Sequence, residues 1–264
     1  MTESGFQVGL DSPRYYEKQV HALMAPFVEA MVGETVRPGD SVLDVACGTG
    51  FATRAAALVA GPGARVEGID LNPAMIACAA EVASGADANI VWSSGSALDL
   101  PFADDQFDSV ICQQGLQFFP DPVLGVREMV RVARVGARIG LTVWSSPERT
   151  PFLRFETAML SRHGGGAQAE YSTTEQQLRG WFAAAGLDEV LIELVEVEVD
   201  LPPVLKYVPE HLKALPWSAG FFALPKEEQR MALDELDAEL AEYRTAYGLT
   251  IPFSSYLTTA SIPA

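Results

Sequence analysis

An α/β fold, with a doubly wound and mostly parallel sheet under a helical cap, is what this sequence predicts, on three observations. Short Val- and Ile-rich runs alternate with helical stretches across residues 37–145. A Gly-rich turn follows the first of those runs, and a Pro-bounded helical block separates the last two.

Taken in order, Tyr16, Val20, Leu23, Met24, Phe27, Val28 and Met31 recur at helical spacing, and Gly33 offers a stop, so residues 10–33 read as an N-terminal cap helix. The runs at 41–46, 65–70, 90–93, 108–113 and 137–144 have the near-continuous apolar character of strands buried on both faces. Helical stretches at 51–60, 73–83 and 122–133 lie between them, and right-handed crossovers place such helices on both sides of a sheet. Ser172-Thr173-Thr174-Glu175 has capping-box form and opens a helix that Gly186 would end. A sixth strand is expected at 189–199 and a seventh at 250–260. Between these, helices at 204–215 and 225–247 are expected, the second carrying a stripe of Leu233, Leu236, Leu240, Tyr243 and Tyr247. An insertion of this length reads as a substrate cap at 201–247. The expected organisation is one domain over 1–264, with a ligand-binding core at 37–145 and the rest of the sheet plus cap at 146–264.

The 264 residues can bury a large core, and 48% apolar with 20% charged residues is an ordinary globular balance. The 35 acidic residues exceed the 18 basic ones, and the net charge of -17 opposes a polyphosphate partner. Arg127, Arg131, Arg134 and Arg138 fall at helical or turn spacing and read as a solvated helix face. Cys47, Cys78 and Cys112 form no Cys-x-x-Cys pair, which argues against disulfides and zinc and for a reducing compartment. Met1-Thr2-Glu3-Ser4-Gly5 lacks a basic leader, and no apolar stretch approaches the roughly 20 residues that span a bilayer. The expectation is a cytoplasmic monomer or homodimer without metal, nucleic acid or membrane span.

The chemistry concentrates at Val42-Leu43-Asp44-Val45-Ala46-Cys47-Gly48-Thr49-Gly50. Gly48 and Gly50 carry no Cβ, so a ligand can approach the backbone closely. A dinucleotide site wants a third small residue three places after the second Gly; Thr53 stands there, and Asp44 would repel a pyrophosphate. Asp44 suits an ammonium instead. Asp70 closes the second run, 20 residues beyond Gly50, where a carboxylate accepts from ribose hydroxyls. Leu71 and Met75 follow and can sandwich a flat base, with core packing as the alternative for Met75.

These segments, with Val66-Glu67-Gly68-Ile69-Asp70, Leu100-Pro101-Phe102 before Phe107-Asp108, and Arg127-Glu128-Met129 through Arg131-Val132, resemble the ordered motifs of class I S-adenosylmethionine-dependent methyltransferases. The branch they most resemble is that of the ubiquinone and menaquinone methyltransferases, over residues 41–144. The resemblance implies a Rossmann-like seven-stranded sheet with an antiparallel last strand. It implies S-adenosylmethionine as cofactor and S-adenosylhomocysteine as its product. Asp44, Ala46, Gly48, Thr49 and Gly50 would line the methionine end, Asp70 the ribose, and Leu71 and Met75 the adenine. Where the family has Asp-Ala after the third strand, this chain reads Ser96-Ala97-Leu98, so Ser96 would accept from the adenine amino group, with Asp99 as an alternative. Arg134-Val135-Gly136-Ala137 departs from the family's Lys-Pro-Gly-Gly turn. Gln113 and Gln114 would face the methionine, and Gln117 and Phe118 the substrate. Tyr15 and Tyr16 are candidates for closing over the cofactor.

Methyl transfer needs alignment and exclusion of water, and no metal. His21, His163 and His211 are scattered without a partnered motif and read as packing or surface residues, so no catalytic base is assigned. Trp144 and the cap residues Phe152, Phe155, Trp181, Trp217, Phe221 and Phe222 offer an apolar lining for a hydrophobic or aromatic small molecule, of which Trp144, Phe152, Trp217 and Phe221 are taken as substrate-binding. The acceptor atom, whether O, C or N, stays open. Two other readings also stay open: a non-methylating relative such as a cyclase that keeps the cofactor as scaffold, and a cofactor-binding regulatory module. A nicotinamide dehydrogenase ranks last, on Thr53 and Asp44.

Overall fold

The apolar runs form a seven-stranded sheet in the order β3-β2-β1-β4-β5-β7-β6. In the computed structural model, which describes residues 9–84, 90–163 and 172–263, the strands are β1 (Val42–Val45), β2 (Val66–Asp70), β3 (Ile90–Ser94), β4 (Phe107–Gln113), β5 (Ala133–Trp144), β6 (Val190–Leu201) and β7 (Leu249–Ser261). The reading of Met1 to Gly5 lies outside the described residues. Strands β1 to β5 pair in parallel, and β7 runs antiparallel to both β5 and β6. The last strand is therefore the reversed one, as expected. Every residue of β1 is buried, including Asp44.

Helices cover both faces. On one lie α1 (Ser12–Thr35), α2 (Phe51–Ala60), α5 (Pro151–Arg162), α7 (Val204–Leu212), the short α8 (Ala219–Ala223) and α9 (Lys226–Glu239), joined in one core with Phe27, Trp144, Phe152 and Phe253. On the other, α4 (Pro122–Val132) and α6 (Glu175–Ala184) seat Met129, Leu178 and Phe182 against Val110, Ile139 and Leu141. Helix α3 (Pro73–Ala83) starts cleanly: Asn72 Oδ1 accepts from the Ala74 N–H at 2.9 Å, and Pro73 takes the position where no N–H is needed.

Five local expectations change. Gly33 does not stop α1, because Met31, Val32 and Thr35 are buried and this tertiary contact outweighs glycine's weak helix propensity. The capping box of α6 is Thr174 with Gln177, two residues later than read. Helix α9 ends at Glu239 rather than 247: Arg244 pairs with Leu249 and Thr245 N–H donates to Gly248, turning the chain into β7 and leaving Tyr247 exposed. Residues 134–137, read as a turn, belong to β5, with Gly136 at φ +78°. The first and last arginines of the supposed solvated face are also engaged: Arg127 donates to the Ala184 carbonyl, and Arg138 holds both Asp40 and the Thr35 carbonyl.

Phe27 is fully buried and meets Trp144 edge-on, with ring centres 5.6 Å apart, tying α1 to the end of β5. Phe27→Ala is expected to cost about 3–5 kcal/mol of unfolding free energy. Urea denaturation followed by tryptophan fluorescence measures it.

Candidate active site

Strands β1 and β4 are neighbours whose chains wind away in opposite directions, and beyond their carboxyl ends an open α/β sheet leaves a crevice. A cavity occupies it. One end is built by the turns after β1, β2 and β3, through Gly48, Asp70, Leu71, Ser96, Ala97 and Leu98, with Met75 from α3. The other end is bounded by Trp144 at the end of β5, Leu153 and Glu156 on α5, and His211, Leu215 and Trp217 at and beyond α7. Val20, Leu23 and Met24 of α1 also line the cavity.

The turn after β1 is sterically committed. Ala46 (φ +56°), Gly48 (φ +56°) and Gly50 (φ +85°) all adopt left-handed backbone. The two glycines serve different ends. A Cβ on Gly48 would meet no atom within 4 Å, so its bareness keeps space open at the cavity wall. A Cβ on Gly50 would lie 2.3 Å from the Trp92 ring, so Gly50 is bare to admit the indole beneath the turn. Gly50 and Thr49, read as ligand-contacting, do not line the cavity; Thr49 is fully buried. Gln114 (φ +52°) mirrors Ala46 at the end of β4, and both border the cavity. Left-handed backbone in non-glycine residues is held only where the surroundings over-determine it, as around sites.

The Asp70 carboxylate joins two turns. Oδ2 accepts from the Gly48 N–H and Oδ1 from the Asn72 N–H, both at 2.8 Å, leaving further lone pairs toward the cavity. Burial raises its pKa, and those two hydrogen bonds pull it back. Asp44 lies a layer below and does not itself line the cavity. Its Oδ2 accepts from Thr53 Oγ1 at 2.5 Å, and its buried Oδ1 has no partner among the described residues. Burial is the main cause that lifts its pKa to about 7, with Asp70's charge adding to the rise and the Thr53 bonds opposing it. Thr53, read as the absence of a dinucleotide glycine, thus has a positive task. Burial likewise raises the thiols of Cys47 and Cys112, the latter to about 12, so neither supplies a thiolate.

Tyr16 lines the cavity, stacked on Phe51 at 5.7 Å, and burial first, then Asp70 and Glu17, keep its hydroxyl protonated. Tyr15 instead sits under the Lys213 ammonium at 4.9 Å and does not border the space. Ser96 lines the cavity, its Oγ accepting from the Leu98 N–H at 3.1 Å, whereas Asp99 is exposed and away from it. Gln113 donates to the Met24 sulfur at 3.3 Å. Gln114 donates to Ser255 at 2.7 Å while its buried Oε1 has no partner among the described residues. Gln117 accepts from the Trp144 N–H at 2.9 Å, and its buried Nε2 is likewise unpartnered. Two orphaned amide atoms at a cavity wall are groups that a polar ligand would satisfy.

Of the aromatic lining expected from the sequence, Phe118, Trp144 and Trp217 border the cavity. Phe152 does not: it is fully buried behind the wall, among Tyr207, His211 and Phe253. Phe221 is also core, packed edge-on against Phe222. Phe155 carries the Arg154 guanidinium over its ring, and Trp181 belongs to α6 on the opposite face of the sheet. The sequence reading missed Glu156 and set His211 aside as a packing or surface residue, yet both line the cavity, from α5 and α7, with His211 Nε2 3.6 Å from Glu156 Oε1. No group of three or more His, Cys, Asp or Glu side chains with metal-ligating placement is present among the described residues, and no helix there is long and apolar enough to cross a membrane.

Comparison with known proteins bears on this geometry. The profile of a methyltransferase domain family matches residues 43–141. The chain is 34% identical over 135 residues to the 2-phytyl-1,4-naphtoquinone methyltransferase of Synechococcus elongatus, covering 50% of this chain and 58% of that one. It is 31% identical over 172 residues to the demethylmenaquinone methyltransferase of Bacillus subtilis, covering 59% of this chain and 74% of that one. It spans only about half the length of most of the curated relatives it matches. Among solved structures, the YcgJ protein of Bacillus subtilis superposes with a TM-score of 0.62 at 20% identity, over 91% of this chain and 99% of that one.

The buried Asp44 sets a pH dependence of stability. Its folded pKa stands above the unfolded value of about 3.9, so between about pH 4 and 7 the native state binds more protons and stability falls as pH rises. Asp44→Asn is expected to flatten that slope and to stabilise the ligand-free protein at pH 8 by roughly 2–4 kcal/mol. Thermal denaturation of both proteins from pH 4 to 8 tests this; parallel curves would remove the assignment.

Proposed function

The chain belongs to the class I S-adenosylmethionine-dependent methyltransferases, in the branch of the quinone methyltransferases, and from that premise we propose that it methylates a hydrophobic aromatic small molecule. One observation carries the reading: the open approach at Gly48 and the cavity-facing carboxylate of Asp70 lie in a single cavity at the β1/β4 switch point. S-adenosylmethionine, when bound, supplies an electrophilic methyl group on a sulfonium. The residues present fit it. Gly48 leaves room beside the backbone, and Asp70 retains lone pairs for ribose hydroxyls. Leu71 and Met75 flank an adenine, and Ser96 accepts from its amino group. Ala46, Ala97, Leu98, Gln113 and Gln114 complete the wall, with Tyr16 closing it. Asp44 acts from below, its charge favoured by a cationic amino acid above it.

The chain's own work is to align two reactants and keep water out. Trp144, Phe118 and Trp217, with Val20, Leu23 and Met24, make the acceptor end apolar, and Gln117 Nε2 offers it one hydrogen-bond donor. That composition suits a flat, largely apolar acceptor with a polar substituent, such as a reduced quinone of the kind named for the relatives.

Calorimetry with S-adenosylmethionine should give binding that NAD does not. Asp70→Ala should weaken it roughly 10- to 100-fold, the loss of one or two hydrogen bonds to a charged acceptor. A variant that melts like the wild type yet binds equally well would sink the ribose assignment. Transfer of labelled methyl to reduced 2-prenyl-1,4-naphthoquinones tests the acceptor class, and an unlabelled product would favour the scaffold reading.

A further inference from the structure

In the acceptor half of the cavity, two ionisable side chains face each other with nothing yet assigned to them. Glu156 and His211 are 2% and 5% exposed, and their facing atoms, Oε1 and Nε2, are buried without a hydrogen-bond partner among the described residues. Both line the cavity. A carboxyl oxygen and an imidazole nitrogen left without partners in an apolar wall are destabilising unless they do something there. Their 3.6 Å separation is too long for a hydrogen bond and within the reach of an ion pair once the ring is protonated.

The network behind His211 fixes which nitrogen is basic. The Tyr207 hydroxyl donates its single hydrogen to the Gln19 carbonyl at 2.8 Å. Toward His211 Nδ1, 3.3 Å away, the Tyr207 oxygen can then only accept. Nδ1 therefore carries the proton in the neutral ring, and the lone pair lies on Nε2, beside Glu156 and the cavity. Burial first, and then Glu156's charge, hold the Tyr207 hydroxyl protonated, so it stays a neutral partner. Phe152 closes the ring's flank at 5.7 Å. Among the described residues, Glu156 from α5 and Tyr207 from α7 are the titratable groups in contact with His211. Helix α1 brings the Gln19 carbonyl with the apolar Val20 and Leu23, and α9 buries Ala232, Leu233 and Leu236.

We propose that His211 is the catalytic base of this protein, that Glu156 stabilises the imidazolium it becomes, and that the acceptor presents an ionisable aromatic hydroxyl. The inference rests on the methyltransferase reading and extends it to the acceptor. The acceptor's O–H bond breaks, its proton bonds to Nε2, and the electron pair stays on oxygen for the incoming methyl, or is delocalised to a ring carbon that takes the methyl and whose own hydrogen then passes to the oxygen as a proton. The imidazolium then faces the Glu156 carboxylate, a pair that a dry wall favours over an isolated cation. Tyr207 is a positioning residue, setting the tautomer without touching the acceptor.

The first test needs no acceptor. Histidine side-chain ¹⁵N NMR of the full chain, with its three histidines separated by His211→Gln, should find neutral His211 as the Nδ1–H form; Tyr207→Phe should shift it toward Nε2–H. Nε2–H in the wild type overturns the proposal. The second uses 4-nitrophenol with S-adenosylhomocysteine below the probe's own pKa. Bound probe should absorb as phenolate in the wild type. His211→Gln and Glu156→Gln should lower that phenolate fraction roughly tenfold or more, the effect of one unit of pKa. Unchanged phenolate in His211→Gln, or no uptake by the wild type, overturns it. Calorimetry separates the two readings: S-adenosylmethionine affinity kept in both variants assigns a lost phenolate to the pair, whereas no affinity in the wild type defeats the methyltransferase reading itself.

Discussion

The structure turns on a carboxylate where a parallel sheet least tolerates one. Strand β1 is covered on both faces, so its side chains should be apolar throughout, yet Asp44 lies within it at zero exposure. A buried charge is costly unless paired, and Thr53 offers it only uncharged hydrogen-bond donors. The pKa near 7 is the measure of what is left over. Asp70, at the end of the neighbouring strand, adds a second buried carboxylate whose charge raises the first. A fold optimised only for stability would carry neither. In the proposed function this end of the sheet is completed by positive charge from the cofactor, which brings an ammonium and a sulfonium.

That demand organises the surrounding backbone. The turn after β1 must expose N–H groups and space above Asp44, and it does so with three left-handed residues in five positions. Gly48 N–H goes to Asp70, which locks the turn to β2. Trp92, rising from β3 into the gap left by Gly50 and Gly68, supports the turn from beneath. The glycine-rich segment is therefore rigid, and only Gly48 of its two glycines is bare for the sake of the cavity.

Much of this was legible because buried parallel strands and their turns write simple patterns. The alternation of apolar runs with helices, the cap of α3, and the spacing from Gly50 to Asp70 all follow local rules. What failed to show was tertiary. Trp181 and Phe152 are aromatic residues in the expected region, but which face of the sheet their helix covers is not encoded in its own periodicity. Trp181 went to the far side and Phe152 behind the wall. Helix α5 was missed for a telling reason: its buried stripe of Phe152, Glu156, Met159 and Leu160 contains an acid. The stripe of α7, with Val204, Tyr207, Val208 and Leu212, likewise contains His211. Pro151 at the first helical position was a signal for α5 that could have been used. An ionisable residue inside an otherwise apolar helical stripe is the mark of both members of the pair, and it is visible only once the helix is drawn.

The two ends of the cavity answer each other electrostatically. Moving a methyl group off a sulfonium removes a positive charge from the dry space beside Asp70, while an acceptor hydroxyl must release a proton. If that proton left for bulk water, the cavity would gain a net negative charge, which a low-dielectric wall penalises steeply. Retaining it on His211, against Glu156, keeps the net charge of the closed site constant through the step. A base at the surface could not do this, because closing the site to exclude water would cut it off. Burial of Glu156 and His211, which looks like a defect in the packing of α5 and α7, is then what the chemistry requires.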